Sequence, residues 1–259
     1  MDLGIAGRTA LVCGASRGMG FAIARRLAAE GVDVVLVART PGPLQEAVLQ
    51  IAGESRVQVT PVVGDITTQA GRAVALAVCP SPDILITNAD GPRPGNFRDY
   101  SHADWMAALD ALMLAPIALI QATIDGMVAR RFGRIVNITS RSVKIAQPEL
   151  SLSNGARSGL VGFTAGIARE MVRHNVTINN LLPGIFATDA QRRHVSDLAS
   201  QTGREFDAIW AERSAGNPAG RFGEPSEIAD YCAFLCSAQA GFITAQNLLI
   251  DGGGYPGTF

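Results

Sequence analysis

Three glycines near the start of the chain have the spacing of a phosphate-binding turn. Gly14, Gly18 and Gly20 lie in the segment Cys-Gly-Ala-Ser-Arg-Gly-Met-Gly, after an apolar run and before a segment of helical period. Glycines at such positions let the backbone approach a pyrophosphate, whose charge is met by free N–H groups and by the positive end of the helix. The spacing alone also suits a simple turn, but its place between a strand and a helix favours dinucleotide binding.

Two arginines are placed to select the phosphorylated dinucleotide. The second predicted strand ends in Val37, Ala38 and Arg39, without the carboxylate that would bind a free ribose 2′-hydroxyl. Arg39 and Arg17, which lies within the glycine turn, can hold a 2′-phosphate in bidentate fashion, so the sequence favours NADP(H). The alternative is that both are solvated surface arginines, which are common in loops.

The hydrophobic pattern indicates the elements that must position these groups. Apolar runs of strand length alternate with segments of helical period from end to end, without a low-complexity linker or an internal repeat. This alternation predicts an α/β fold: a doubly wound Rossmann-type domain with a mostly parallel seven-stranded sheet, helices on both faces and ligands beyond the carboxyl ends of the strands. The predicted strands are Thr9–Cys13, Val34–Val37, Val57–Val63, Ile84–Thr87, Ile135–Ile138, Val176–Leu182 and Asn247–Ile250. The predicted helices are Phe21–Glu30, Leu44–Ile51, Arg72–Val78, Trp105–Arg130, Ser153–Arg173 and Pro225–Ser237.

A long polar stretch, residues 186–220, is called here the cover segment. It is too long for a plain connection, and we expect a helical insertion that covers the substrate. Its cationic residues and its apolar residues would suit an apolar substrate with an anionic handle, although an amphipathic surface segment has the same composition. These residues are Arg192, Arg193, His194, Arg204 and Arg213, with Leu198, Phe206, Ile209 and Trp210.

Composition and charge argue against several classes of protein. Hydrophobic residues make up 47% and charged residues 17%, which predicts a large packed core and excludes disorder. A net charge of -1 gives no electrostatic case for a nucleic-acid or membrane partner. The apolar stretch Ala107–Ile120 contains Asp110 and is shorter than the ~20 residues of a membrane span. The spacing of the four cysteines predicts buried thiols, so we expect a cytoplasmic protein.

Longer motifs, from about Arg8 to Gly253, resemble those of the short-chain dehydrogenase/reductase family. The length of 259 residues allows one large domain or two small ones, and the unbroken run of motifs implies a single domain over residues 1–259. Besides the glycine turn, the motifs are Asp65-Ile66, Asn88-Ala89, Gly133-Arg-Ile-Val-Asn-Ile-Thr-Ser140, Leu182-Pro-Gly-Ile-Phe-Ala-Thr188, Gly220-Arg-Phe-Gly-Glu-Pro-Ser-Glu-Ile-Ala229 and Ile250-Asp-Gly-Gly253.

The resemblance implies an NADP(H)-dependent oxidoreductase. It places adenine at Asp65 and Ile66, the adenosine ribose beside Asn88 and Ala89, and nicotinamide against residues 183–185 and Thr188. The cofactor-binding residues expected in all are Gly14, Ser16, Arg17, Gly18, Met19, Gly20, Arg39, Asp65, Ile66, Asn88, Ala89, Pro183, Gly184, Ile185 and Thr188.

The catalytic positions depart from the family pattern. The family uses a serine, a tyrosine and lysine four residues apart, and an asparagine on the preceding long helix. The matching positions here are Ser140, Ser153, Arg157 and Leu112. A phenol with a pKa of about 10 can exchange a proton with a carbonyl beside a cation, whereas a serine hydroxyl is a much weaker acid. Arg157 can bond ribose hydroxyls and add a fixed charge. We expect Ser140, Ser153 and Arg157 to be catalytic; the alternative is that residues 153 and 157 only cap or solvate a helix.

The residues leave the proton donor open. Lys144 closely follows the fifth predicted strand, and Asp90 follows the fourth. Either could exchange a proton with the substrate, as could water, and either could equally be a solvated loop charge. His102, His174 and His194 lie apart from the strand ends, and no metal site is expected.

Three functions fit these observations. The intact cofactor turn favours a carbonyl reductase or alcohol dehydrogenase with a small-molecule substrate, a 3-oxoacyl compound being one candidate. A non-redox lyase or isomerase on the same fold, and a protein that binds NADPH without turnover, are the alternatives. The resemblance also implies a homo-oligomer, a dimer or tetramer, paired through the two long helices.

Overall fold

The computed structural model describes residues 1–258, and its strands form where short aliphatic runs are buried between two layers of helices. Successive residues of a strand face opposite sides of the sheet, so Ala10 and Val12 lie in one core while Leu11 and Cys13 lie in the other. The strands are β1 (Thr9–Cys13), β2 (Asp33–Ala38), β3 (Val59–Val63), β4 (Ile84–Thr87), β5 (Gly133–Ile138), β6 (Val176–Pro183) and β7 (Asn247–Ile250).

The seven strands form one sheet in the order β3-β2-β1-β4-β5-β6-β7, and every neighbouring pair is parallel. The predicted doubly wound α/β fold is therefore confirmed, with an entirely parallel sheet where a mostly parallel one was expected. The direction of winding reverses between β1 and β4, which is where such sheets bind ligands. The residues that follow Cys13, Thr87 and Ile138 consequently meet along one edge.

Helices cover both faces of the sheet. One face carries α1, α2 and α9, which bury Ile23, Leu44 and Ile228 against it, and the other carries α3, α5 and α6. The helices are α1 (Gly18–Ala29), α2 (Pro41–Glu54), α3 (Gln69–Val78), α4 (His102–Leu109), α5 (Ala115–Arg130), α6 (Ser151–Met171), α7 (Asp189–Thr202), α8 (Phe206–Ala215) and α9 (Pro225–Cys236). The last three precede β7, and α7 and α8 lie within the cover segment.

Several boundaries differ from the predicted ones for local physical reasons. Helix α1 begins at Gly18 instead of Phe21, because its first turn is built from glycines that carry no periodic signal. Helix α4 begins at His102, where Ser101 and Asp104 bond reciprocally to each other's backbone N–H groups. Pro61 does not break β3, because β3 is an edge strand where a missing N–H is tolerated.

Helices α4 and α5 are joined through a π-helical turn, Asp110–Leu114, into a continuous stretch of 29 residues, His102–Arg130. An 18-residue window of it has a mean hydropathy of 1.8, so this stretch is long and apolar enough to cross a membrane by length and composition. The sequence predicted that the apolar stretch Ala107–Ile120 is too short to cross a membrane. That prediction is wrong for the helix that contains it, which extends over His102–Arg130. One such helix is weak evidence for a span, since helices that pack on a sheet pass the same test, and α5 packs on β5 and β6.

Buried amides tie together the strands that carry the site. The hydroxyl of Thr87 on β4 donates to Asn137 Oδ1 on β5 at 2.6 Å, and Asn137 Nδ2 donates to Asn180 Oδ1 on β6 at 2.9 Å. Asn180 Nδ2 continues the chain to Thr164 on α6 and to Asn247 on β7. Since such satisfied networks are rigid, they fix the spacing of the strand ends.

Candidate active site

The glycine turn is packed so closely that side chains would not fit. Gly14 and Gly18 have φ values of +62° and +58°, in the left-handed region. A Cβ on Gly14 would lie 2.6 Å from Asn88 Nδ2, and one on Gly20 would overlap the carbonyl oxygen of Gly14. The loop after β1 therefore lies directly against the loop after β4, with its backbone accessible to a ligand.

The first turn of α1 provides free donors for a phosphate. Arg17 precedes the helix without a side-chain hydrogen bond to it, and the first turn has no acidic residue. The unpaired N–H groups and the positive end of the helix dipole favour an anion there. The turn and this helix start together have the shape and charge that a dinucleotide pyrophosphate requires. Ser16 is half-buried in the turn, and Met19 packs against the core below it.

Arg39 and Asp90 form an ion pair across the cleft that the sequence did not predict. Arg39 Nη2 lies 2.6 Å from Asp90 Oδ2, and both side chains are largely exposed. Arg17 makes a longer contact, 3.8 Å, with Asp189 at the start of α7. Both arginines thus reach the mouth of the cleft, and their exposed ion pairs can exchange for a phosphate at little cost.

The other predicted cofactor residues lie at the ends of β3, β4 and β6. Asp65 is half-buried and accepts hydrogen bonds from the backbone and hydroxyl of Thr67, while Ile66 beside it is buried. Asn88 donates to the Gly14 carbonyl at 3.5 Å, and Ala89 packs against the core. These groups line the edge that begins at the glycine turn.

The segment after β6 closes on the glycine turn from the other side. Pro183 ends β6, and a Cβ on Gly184 would lie 2.6 Å from Asp251 Cβ, so β7 leaves no room there for a side chain. The Ile185 carbonyl accepts from the N–H of Gly223. Thr188 accepts from Gln191 N at the start of α7, and its methyl carbon would be 3.6 Å from a Cβ on Gly18.

Ser153 and Arg157 lie one turn apart on α6 and are joined by a hydrogen bond. Arg157 Nε donates to Ser153 Oγ at 3.0 Å, and its Nη1 donates to the carbonyls of Ile138 and Thr139, at 3.0 and 2.6 Å. A Cβ on Gly91 would lie 3.6 Å from Nη2. The guanidinium thus connects α6, the end of β5 and the loop after β4.

Burial changes the acidity of this guanidinium. It lowers the pKa of Arg157 to about 10, and no carboxylate within residues 1–258 forms an ion pair with it. The group stays protonated near neutrality. Because Ser153 Oγ accepts from Arg157, its own O–H is available to donate. The pair can stabilise negative charge on a carbonyl oxygen, but neither member is a ready proton source.

Ser140 and Leu112 complete the surroundings of this pair. Ser140 follows β5 by two residues, and its Oγ accepts from the backbone N–H of Ser142 at 3.1 Å, which leaves its proton free. Leu112 is buried in the π-helical turn that packs against α6. A side chain that is 3% exposed and purely apolar provides no polar relay at this point.

The other candidate groups are spread around the cleft. Lys144 is exposed, with its ammonium 5.5 Å from the centre of the Tyr255 ring. Asp90 is engaged by Arg39. His194 is half-buried on α7, where the charges of Arg213 and Glu149 act on it, although sequence reasoning set it apart from the strand ends. In residues 1–258, no three His, Cys, Asp or Glu side chains come together as a metal site.

A cavity of about 510 Å³ is lined by residues of α1, α9 and the start of α7. The lining includes Phe21, Ala29 and Ala229, together with Gly18 and Thr188. Ser140, Ser153 and Arg157 are absent from its lining.

Sequence reasoning also missed Arg141, which directly follows Ser140 in the chain and has no ion pair within residues 1–258. Its adjacency to a predicted catalytic serine was the available signal. Its guanidinium lies near Asn217 and Gly254, which are more than seventy positions further along the chain.

Comparisons with known proteins cover almost the whole chain. The family model described as Enoyl-(Acyl carrier protein) reductase matches residues 14–254. Gluconate 5-dehydrogenase from Gluconobacter oxydans (strain 621H) is 33% identical over 253 residues, covering 96% of this chain and 95% of the relative. Dehydrogenase/reductase SDR family member 4 from Bos taurus is 33% identical over 251 residues, covering 95% of this chain and 86% of the relative.

A solved structure has nearly the same fold. L-sorbose reductase from Gluconobacter frateurii, in a complex with NADPH and L-sorbose, has a TM-score of 0.95 at 27% identity, with 100% of each chain covered. Together with the glycine turn and the strand order, these matches assign the fold and the sequence to one group of enzymes. The chain belongs to the short-chain dehydrogenase/reductase family.

Proposed function

We propose that this protein is an NADP(H)-dependent oxidoreductase that interconverts a ketone and an alcohol, with Ser140, Ser153 and Arg157 around the reacting oxygen. The observation that carries the proposal is the hydrogen-bonded pair of Ser153 and Arg157, anchored to the end of β5 at the edge of the cofactor cleft. Ser153 and Arg157 take the positions that tyrosine and lysine hold in the family pattern. The proposed enzyme thus uses the cofactor of the family but lacks the tyrosine that usually donates the proton.

The cofactor residues fit NADP(H). The glycine turn and the start of α1 hold the pyrophosphate, and Arg17 and Arg39 hold the 2′-phosphate, with Arg39 exchanging Asp90 for it. Asp65 and Ile66 border adenine, Asn88 and Ala89 border the ribose, and residues 183–185 with Thr188 border nicotinamide. When bound, the cofactor supplies or accepts the hydride.

The chain's own groups stabilise the charge that develops on the substrate oxygen. Ser140 and Ser153 donate hydrogen bonds to it, and the Arg157 guanidinium adds a buried positive charge about one hydrogen bond away. Arg157 keeps its proton near neutrality, because its pKa of about 10 lies well above that pH. Water delivers the proton, with the exposed Lys144 as the alternative source. The cover segment, 186–220, keeps the substrate over the strand ends.

The substrate class and assembly follow as parts of the same proposal. The relatives named above act on gluconate and L-sorbose, so small hydroxylated ketones are the first substrates to test, followed by 3-oxoacyl thioesters.

A dimer or tetramer forms through α4–α5 and α6, where Met106 and Leu114 present apolar side chains to solvent. The four cysteines are free and buried, which suits a reducing cytoplasmic compartment.

The test is NADPH oxidation with a panel of ketones, comparing Ser153→Ala with Ser158→Ala, an exposed serine on the same helix. Ser153→Ala should lower kcat by about 10–100-fold, since one donor to the oxyanion is lost, with the Kd for NADPH unchanged. Ser158→Ala should match the parent. Tight NADPH binding without turnover of any ketone would favour a cofactor-binding protein. A protein that binds neither NADPH nor NADH would refute both the reductase and the cofactor-binding function.

The non-redox alternatives are less well supported. A lyase or isomerase has no need of a dinucleotide, yet the glycine turn and the phosphate-facing arginines are all present. Ser153→Tyr with Arg157→Lys offers a second measurement. A gain in ketone reduction in this double variant would indicate that these two positions set the altered chemistry.

A further inference from the structure

Two arginines, Arg141 after β5 and Arg213 on α8, form no ion pair within residues 1–258. Arg141 follows Ser140, and a Cβ on Gly254 would lie 2.8 Å from its Nη1, so its guanidinium extends toward the segment after β7. Asn217, just beyond α8, approaches the same point, with its Nδ2 at 3.5 Å. Arg141 therefore bridges the gap between the end of β5 and the end of the cover segment.

Arg213 lies on α8, four residues before Asn217. It is half-buried, and its Nε is shielded from solvent with no hydrogen-bond acceptor in residues 1–258. Helix α8 is held firmly one turn earlier, where Ile209 is buried and the Trp210 ring stacks on Phe222 at 4.0 Å. The packing of α8 thus holds Arg213 in place.

The charge of Arg141 acts on Arg213, which agrees with the place of both arginines near Asn217. The pKa of Arg213 is lowered by burial and by the Arg141 charge, in that order, while Glu149 and Glu212 act in the opposite direction. Burial and the charge of Arg213 also lower the pKa of His194, which Asp197 and Glu149 partly offset. The cluster consists of two cations and an imidazole that stays largely neutral near pH 7.

Two carboxylates of the described residues bond elsewhere. Glu212 binds Arg204 instead, and Asp251 directs Oδ1 to the Gly253 N–H at 3.1 Å. Within residues 1–258, neither Arg141 nor Arg213 has an ion pair. A further donor, Gln191 Nε2, lies one helical turn before His194 and is also shielded without an acceptor. Buried donors without acceptors are costly, so such a set is expected where a ligand supplies the acceptors.

We propose that Arg141 and Arg213 form a subsite for a carboxylate of the substrate, so that the enzyme prefers oxo acids to neutral ketones. Two guanidinium groups match a carboxylate through paired N–H donors. Glu149 already adds one negative charge beside them, which suits a monoanion better than a phosphate dianion. Since Arg141 directly follows Ser140, the proposal places the carboxylate on the same molecule as the reacting carbonyl, at a spacing that the test below measures. This inference rests on the proposed reductase function.

The test compares acids with their uncharged esters. Pyruvate, acetoacetate and levulinate, each paired with its methyl ester, place the carboxylate at three distances from the ketone. The parent enzyme should use the best acid with a kcat/KM at least about tenfold above that of its ester. Arg141→Gln and Arg213→Gln should each lower that kcat/KM by about 10–30-fold and leave the ester within about twofold. Arg56→Gln, an exposed arginine in the loop after α2, is the control.

A second measurement needs no turnover. Arg213→Met should raise the melting temperature of the protein without ligand by about 1–3 °C, because it removes an unpaired charge, whereas loss of a structural arginine would lower it. The three acids should stabilise the parent and not Arg213→Met, with sodium chloride at equal ionic strength as reference.

The outcomes separate the two proposals. Esters used as well as acids would overturn the subsite and leave the reductase function intact. Stabilisation by the acids, with no NADPH oxidation by these acids or by any ketone of the panel above, would support the subsite and refute the reductase function. If the acids neither react nor stabilise the parent, the subsite is refuted.

Discussion

At the scale of single residues, Arg157 takes its properties from neighbours that are distant in the chain. Its spacing from Ser153 is visible in the sequence, and the hydrogen bond between them follows from helix geometry. Its bonds to the carbonyls of Ile138 and Thr139 and its low pKa of about 10 come from packing against β5. A lysine has a single ammonium and could not hold all three acceptors in this planar arrangement.

The ion pair of Arg39 and Asp90 leads to a prediction about cofactor affinity. Asp90→Asn should tighten NADPH binding by about threefold, because a 2′-phosphate then competes with no carboxylate for Arg39. NADH binding should not change, and Arg39→Gln should weaken NADPH binding selectively. Titration of intrinsic fluorescence with each cofactor measures both effects. Equal shifts for NADPH and NADH would mean that Arg39 does not face the 2′-phosphate.

At the scale of elements, the site depends on how closely β1, α1 and β4 approach one another. The glycine turn lies between them, and the space at Gly20 is filled by the Gly14 backbone. Sequence spacing identified the turn, because the steric need for glycine is local. The position of Asn88 against the turn depends on the pairing of β1 with β4, which joins segments about 75 residues apart.

Alanine substitutions at two helical glycines test this packing. Gly20→Ala should destabilise the protein by about 1–3 kcal/mol, because a methyl group would overlap the Gly14 carbonyl, and should weaken NADPH binding. Gly53→Ala on α2, where no atom lies within 4 Å of the added Cβ, should be neutral or stabilising by up to about 1 kcal/mol. Thermal unfolding with and without NADPH compares them. Equal melting temperatures for the two variants would contradict the tight approach.

At the scale of the whole molecule, one parallel sheet brings together groups from the ends of β1, β2, β4, β5 and β6. The winding of the sheet reverses between β1 and β4, and this is where we place the cofactor cleft. The long apolar stretch His102–Arg130 is incompletely covered. Only 39% of its most apolar window is buried within one chain. A second copy of the chain packed on this helix would cover the remainder.

A charge placed on that helix tests the assembly. Leu114→Asp should shift the protein from an oligomer to a monomer, since a carboxylate would be buried unpaired at the interface. Leu49→Asp on α2, where the side chain is 64% exposed, should leave the assembly unchanged. Light scattering coupled to size exclusion gives the mass of each species. A monomeric parent, or an oligomeric Leu114→Asp variant, would exclude pairing through this helix.

The sequence by itself determined the α/β alternation, the glycine turn, the family and the choice of NADP(H), because these depend on short-range periodicity and on the local need for glycine or a cation. The tertiary structure decided the pairing of Arg39 with Asp90 and the approach of Arg141 to Gly254 and Asn217. Those features join residues tens of positions apart. Their distances are set by strand order and side-chain packing, which no local pattern encodes.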